Sequence, residues 1–236
     1  MSKQKKTDKA VKETSTLAVK RACDHIRDMS IDFAIRPGEQ INEVDVANTL
    51  KISRVPVREA LNRLAEGRFV YFDPGKGFFC RKFSETEMRE LYSVRFDLEL
   101  GAVRQACQEG SDAAVASLLS DWEKIMNTYT SVSQEELIRL DELFHMRIVT
   151  LSGNSERVVF LQNIYERIRF VRKINVEANS VREGMVRAHL NLAQAILKHD
   201  ADLATKLLED HLGINSQELR ENIRTGMLRI YADDMS

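Results

Sequence analysis

The sequence predicts a mainly α-helical chain: three short helices and a two-stranded hairpin in front, then an antiparallel bundle of about six helices. Three observations carry this. Pro37, Pro56 and Pro74 are the only prolines, and the last 154 residues hold none and only six of the ten glycines. That stretch is rich in Leu, Ala, Glu and Arg, the composition of near-continuous helix. Second, Ser-x-x-Glu capping boxes and Gly/Ser/Asp breakers divide it into about six helical segments with no repeating period. Third, the front part gathers aromatic residues into two short runs around Asp73-Pro74-Gly75-Lys76, a hairpin signature.

Charge divides the chain at the same place. The formal net charge is −1, but residues 1–82 hold seventeen Lys and Arg against eleven Asp and Glu, so +6. Residues 83–236 hold 18 against 25, so −7. A basic front on an acidic back implies an anionic partner for one end only. No apolar run approaches the roughly 18 residues of a membrane span. The lysine-rich start lacks an apolar segment of the secretory kind. Cys23, Cys80 and Cys107 are odd in number and widely spaced, which excludes a disulfide framework and a C-x-x-C metal clip and fits a reducing cytoplasm.

In order, the elements are as follows. Residues 1–14, with five lysines and one aspartate in the first twelve, are expected to form a flexible basic arm. A first helix is expected over Thr16 to Met29, with Leu17, Ala18, Ala22, His25 and Ile26 near one face. The turn Arg36-Pro37-Gly38-Glu39 follows. A short helix starts at Asn42 or Glu43 and ends by Lys51, with Val46, Ala47 and Leu50 inward. Ser53 is the expected N-cap of a third helix, Arg54 to Glu66, with Pro56 in its first turn, where a missing N–H costs little. Gly67 stops it. Phe69 to Phe72 and Gly77 to Arg81 form the hairpin.

Behind it, Ser84-x-x-Glu87 opens a helix to about Cys107, and Gly110-Ser111-Asp112 separates it from one ending near Thr128. Ser133-x-x-Glu136 opens a helix through Leu151, broken by Ser152-Gly153-Asn154. Helices over about Glu156 to Val176 and Val181 to Lys198 follow. The turn His199-Asp200-Ala201-Asp202 leads into the last, Leu203 to Arg224. The expected domains are residues 15–82 and 83–228, with a tail at 229–236.

Three short helices and a basic-tipped hairpin are the order of a winged helix-turn-helix, a DNA-reading fold. In the third helix Val57, Ala60, Leu61 and Leu64 form the buried stripe, and Arg54, Arg58 and Asn62 run along a flank. Val55 points away from the stripe in the first turn, where side chains reach base edges. Arginine pairs bidentately with guanine and an exposed valine touches a thymine methyl. Ser53, Arg54, Val55, Arg58, Lys76 and Gly77 are the candidate DNA-binding residues, with Lys76 at the hairpin tip suited to phosphate.

The back part carries a candidate metal site. Asp141 and His145 are i and i+4 on one helix face. His189 and His211 lie symmetrically about residue 200, inside the expected turn, so an antiparallel hairpin brings them level. Three histidines and a carboxylate from three helices can then converge inside a bundle. Such ligands suit zinc, nickel, manganese or iron better than calcium or magnesium. Arg95, on a face otherwise apolar with Leu91, Val94 and Leu98, is the candidate partner for an effector carboxylate. His25 and His199 read as packing or surface residues. The basic run Arg167, Arg169, Arg172 and Lys173 reads as a solvated face, with some members at the pocket mouth.

The run R-P-G-E-Q-I-N-E-V-D-V-A-N-T-L-K-I-S-R-V-P-V-R-E-A-L-N-R-L, from Arg36 to Leu64, resembles the N-terminal domain of GntR-family bacterial transcription regulators. L-Y-S-V-R-F-D-L-E at Leu91–Glu99 resembles the start of the FCD effector domain of the FadR subfamily. The resemblance covers about residues 15–225. It implies that Arg54 and Arg58 stand at DNA-contacting positions and Gly77 at the wing glycine. It also implies that D-x-x-F-H at Asp141–His145, with His189 and His211, matches the metal-binding positions. Two residues depart from the pattern: Gln40, where the family often has Arg, and Ala188, where it commonly has Glu or Ser.

The expected protein is a cytoplasmic, homodimeric regulator, a repressor by family habit, reading a short inverted repeat in double-stranded DNA. Its operator binding would respond to a small organic acid held at a divalent metal, zinc ahead of the others. The helix opening at Ser84 follows the hairpin strand directly and is the expected mechanical link. A metal-responsive regulator and, more remotely, a metal-dependent enzyme are the alternatives.

Overall fold

The computed structural model describes residues 2–82, 84–175, 179–212, 221 and 224, with side chains among them from residue 15 onward and outside 170–182. It divides into two compact units, Met1–Phe83 and Ser84–Ser236.

The first unit contains α1 (Ser2–Ile31), α2 (Glu43–Leu50), α3 (Arg54–Glu66), β1 (Val70–Asp73) and β2 (Gly77–Cys80). The expected flexible arm is instead the start of α1. Its Lys, Gln, Ala and Glu are good helix formers, and no Gly or Pro interrupts them. The buried face of α1 is Val19, Ala22, Cys23 and Ile26, whereas Leu17 is exposed. The stripe counts back from Ala22 by three to Val19, one position off the expected register through Leu17 and Ala18.

Helix α2 begins under Asn42, whose Oδ1 accepts from the Val44 and Asp45 amides at 2.9 and 3.4 Å. It ends at Lys51 in a left-handed conformation, φ 53°. In α3, Val57, Ala60, Leu61 and Leu64 are buried, and with Val46, Ala47, Ile26, Val70 and Phe78 they make one core. The strands pair antiparallel in the register Val70↔Cys80 to Asp73↔Gly77. The tip turns through Gly75 and Gly77, at φ 83° and 99°, angles that disfavour any Cβ. A short edge was not expected: Gln40 bridges Phe79, the Ile41 amide donates to the Phe78 carbonyl at 2.8 Å, and the Cys80 amide to the Glu39 carbonyl at 2.8 Å. The wing is therefore tied to the segment before α2.

The second unit runs α4 (Glu85–Glu109), α5 (Asp112–Thr128), α6 (Gln134–Leu151), α7 (Ser155–Asn175), α8 (Asn179–Leu197) and α9 (Ala201–Leu212). Both capping boxes form: Ser84 and Ser133 hydroxyls accept from the Glu87 and Glu136 amides at 3.2 Å each. α5 packs on α8, α4 on α6, α7 and α9, and α6 on α7. The buried residues Val103, Leu118, Trp122, Phe144, Ile148, Leu192, Ile196 and Leu208 fill the space between them. The α8–α9 turn is held at His199, which is left-handed at φ 57° and whose Nδ1 lies 2.7 Å from the Cys107 carbonyl. Asp200 caps α9 through the Leu203 amide at 3.0 Å. The last stretch of the expected final helix and the 229–236 tail fall outside the described residues.

Candidate functional site

On the first unit, the α3 flank faces solvent. Ser53 has the extended backbone of an N-cap, φ −73° and ψ 165°, but its hydroxyl makes no cap bond. Val55 is 75 % exposed in the first turn of α3. Arg58 is exposed and has no polar partner among the described residues. Arg54 is exposed but leans on Glu43 of α2 at 3.4 Å. At the wing tip Lys76 Nζ lies 3.1 Å from the Asp73 carboxylate, with most of its side chain in water. The Gln40 carboxamide donates to the Lys76 carbonyl, beside Gly77. In place of the arginine often found there, Gln40 holds the wing backbone.

The second unit brings Asp141, His145, His189 and His211 together, one ligand atom from each lying within 4.8 Å of all the others. Asp141 and His145 come from successive turns of α6, His189 from α8 and His211 from α9. The α8–α9 hairpin supplies the last two, because its turn sits midway between them. His145 Nε2 stands 3.2 Å from His189 Nε2 and 3.2 Å from His211 Nε2. Asp141 Oδ1 is 3.2, 3.8 and 4.0 Å from the Nε2 atoms of His189, His145 and His211.

The outward nitrogens of two rings are tied. His189 Nδ1 meets the Met185 carbonyl at 2.7 Å, and His145 Nδ1 meets Glu99 Oε2 at 2.5 Å. Both partners are acceptors, so in the neutral rings Nδ1 carries the proton and Nε2 is a bare lone pair. Two lone pairs then face each other across 3.2 Å, an arrangement that asks for a cation. Two atoms each about 2.1 Å from one ion and subtending roughly 100° would stand about 3.2 Å apart. The residues present fit a divalent transition metal.

Glu99 was not among the sequence candidates. It lies one turn after Arg95 on α4 and links the pocket's parts: His145 on one oxygen, and on the other Arg95 Nε at 2.7 Å and the Tyr165 hydroxyl at 3.0 Å. Its i, i+4 spacing from Arg95 was the available signal. Burial alone would raise the Glu99 carboxyl, but His145 and Arg95 outweigh that and hold it far below the usual range. Burial pushes His145 down against the pull of Glu99. His211 is pushed down further, by burial first and then by His189 and His145. Neutral imidazoles are the form that binds a metal. Trp122 stacks on His189 at 4.3 Å and Phe144 meets it edge-on at 4.3 Å, which locks the ring.

Arg95 is 5 % exposed, and its guanidinium lies 4.9 Å over the Tyr165 ring. Only its Nε is taken by Glu99; the two terminal nitrogens have no polar partner among the described residues. The basic run of α7 is not a solvated face at the two positions whose side chains are described. Arg167 pairs with Glu87 in the first turn of α4. Arg169 grips buried Glu142 with two bonds, Nε to Oε1 at 3.0 Å and Nη2 to Oε2 at 2.5 Å. Acidic partners on α4 and α6, invisible to a single-helix reading, draw both inward. The side chains of Arg172 and Lys173 fall outside the described residues.

Comparison with known proteins agrees with this geometry. The family model of bacterial regulatory proteins, gntR family, matches residues 18–80, and that of the FCD domain matches residues 90–213. The Nta operon transcriptional regulator of Aminobacter aminovorans is 36% identical over 203 residues, 86% of this chain and 95% of its own. The HTH-type transcriptional repressor RspR of Escherichia coli is 25% identical over 190 residues, 80% of this chain and 82% of its own. Among solved structures, Escherichia coli McbR/YncC matches with a TM-score of 0.68 at 20% identity, over 92% of this chain and 98% of that one. A GntR-type regulator from Rhodococcus matches at 0.67 and 23%, over 86% and 97%. At such identities the structural matches speak to the fold alone, a winged helix-turn-helix with a helical second domain. The named relatives are transcriptional regulators, which removes the metal-dependent enzyme as a reading. The chain therefore belongs to the GntR family of bacterial transcription regulators, with the FCD second domain found in the FadR subfamily, and is a DNA-binding regulator rather than an enzyme.

Proposed function

We propose that this regulator is a homodimeric repressor whose grip on a short inverted repeat is set by a small organic acid bound at a metal centre, and that it works in the cytoplasm. Asp141, His145, His189 and His211 would hold the metal, with zinc ahead of nickel, manganese and iron for three imidazoles and one carboxylate. Bound there, the ion would supply a Lewis-acidic position for a carboxylate oxygen. Arg95 would take the acid's charge. One observation carries the reading: buried lone pairs converge at 3.2 Å beside an arginine whose terminal nitrogens have no polar partner.

Arg54, Val55 and Arg58 would read base edges in the major groove, Ser53 would bond a phosphate with its uncapped hydroxyl, and Lys76 with Gly77 would bring the wing to the backbone. A two-fold dimer matches a palindromic operator. The acid would change operator affinity only through its differential affinity for the DNA-bound and free arrangements. The word repressor in the name of the Escherichia coli relative supports that direction of control.

Elemental analysis and operator titration test this together. The purified chain should carry one divalent transition-metal ion, and His189→Ala with His211→Ala should lose it. Full metal content in that variant would refute the site. An operator affinity that follows metal and ignores every organic acid would make the metal itself the signal.

A further inference from the structure

We propose that Glu99 is a positioning residue through which metal binding and acid binding strengthen each other; this rests on the metal-and-acid reading above. Glu99 is 1 % exposed, and its carboxylate meets both halves of the proposed centre. Oε2 lies 2.5 Å from Nδ1 of His145, whose Nε2 faces His189 and His211 at 3.2 Å each. Oε1 accepts from Arg95 Nε at 2.7 Å and from the Tyr165 hydroxyl at 3.0 Å. Arg95 and Glu99 are one turn apart on α4, and His145 comes from α6. One carboxylate therefore stands between a candidate metal ligand and the candidate acid-binding arginine.

A carboxylate only accepts, so Glu99 decides which atoms of its neighbours carry hydrogen. Beside it, neutral His145 keeps its proton on Nδ1 and leaves Nε2 bare for an ion. The same carboxylate holds Arg95 by Nε alone, rather than by the two-nitrogen fork arginine often closes on an acid. The Tyr165 ring, 4.9 Å from the guanidinium carbon, supports that group from one side. An ion on Nε2 makes the opposite N–H a stronger donor and draws Glu99 toward His145. Its hold on Arg95 weakens, and more of the guanidinium charge is left for an acid. An acid on the terminal nitrogens acts in reverse: it leaves Glu99 to His145, whose Nε2 becomes a better ligand. Coupling of binding free energies is reciprocal, so the acid's effect on metal affinity reports it in full. In Glu99→Gln one oxygen gives way to an NH2, which cannot accept, so His145 and Arg95 can no longer both donate to this side chain as they do now.

The test uses the full chain, with zinc as the metal and acetate, lactate and succinate as acid probes. Zinc affinity is measured by chelator competition, with and without saturating acid and with free zinc buffered throughout. An acid that binds the native chain should tighten zinc at least about tenfold. Glu99→Gln should hold zinc about 10–100-fold more weakly and lose most of the acid's tightening, with helix content unchanged. Weaker zinc with the acid's factor intact would mean that Glu99 only props His145, and overturns the inference. So does an acid that binds the native chain without tightening zinc. A second readout needs no variant to fold. Long-range 1H–15N spectra of the zinc-loaded native chain follow His145, with Nδ1 on Glu99, and His189, with Nδ1 2.7 Å from the Met185 carbonyl. Acid should shift the His145 Nδ1 signal more, because Glu99 joins that ring to Arg95 while a backbone carbonyl holds the other. Equal shifts at the two rings overturn the inference. A native chain that holds no metal, or holds zinc while none of the three acids binds, refutes the proposed function and this coupling with it.

Discussion

Arg54 and Arg58 stand one turn apart on α3, yet among the described residues only Arg54 has a side-chain partner, Glu43 at 3.4 Å. Arg58 is free to reach a base without breaking any bond, so its truncation removes a contact and nothing else. Arg58→Ala should lower operator affinity by about 1–3 kcal/mol, with helix content unchanged. Fluorescence anisotropy on a labelled operator measures this, and native affinity would remove Arg58 from the reading surface. Side chains were unevenly legible at this scale. Periodicity on one helix placed Arg58, Val55 and the Asp141/His145 pair, because each depends on its own element. Glu99 and Tyr165 escaped, since His145 on α6 and Tyr165 on α7 meet Glu99 only across the bundle.

The wing shows how an element depends on a segment outside it. A hairpin of two four-residue strands is marginal alone. Here Gly38 to Ile41 adds backbone bonds along β2, and the Gln40 side chain holds the Lys76 carbonyl at the tip. Gln40→Ala should loosen the tip and weaken operator binding several-fold, at a stability cost of only about 1 kcal/mol. Parallel melting and binding curves separate these, and equal operator affinity would show that the tip needs no such tie. Most helices could be read locally, through Asn42, Ser84, Ser133 and Asp200 caps and the glycine breakers. The Gly38–Ile41 edge could not, because it has neither the length nor the alternation of a strand. The start of α1 is ambiguous for another reason: a lysine-rich run satisfies both a solvated arm and a helix, and composition does not choose between them.

At the scale of the molecule, the −1 total conceals a basic unit, Met1–Phe83, and an acidic one, Ser84–Ser236. None of the described helices is long and apolar enough to cross a membrane. The proposed metal ties α6, α8 and α9, so its removal should weaken the second unit. A ligand at about a hundred times its Kd stabilises by about 2.7 kcal/mol. The buried histidines add a pH dependence. Burial depresses His145 and His211, so below about 6.5 the unfolded chain takes up protons that the folded one refuses. Their contribution is complete above about pH 6.5 and is lost as pH falls toward the depressed folded values. Chelator-treated protein should melt lower at pH 5.5 than at pH 8 in its second transition, and untreated protein should release its metal over the same range; a melting point of the treated protein level between those values would contradict it. From the sequence alone came the helical class, the two-part division, the capped element ends and the four metal-site candidates, because caps, breakers, periodicity and the hairpin spacing of His189 and His211 act over short distances along the chain. Only the tertiary structure decided that Glu99 joins His145 to Arg95, that Arg169 closes on Glu142, and that Gln40 holds the wing. Each of those is a contact between elements remote in sequence, and charge pairing across a bundle depends on packing that no single helix records.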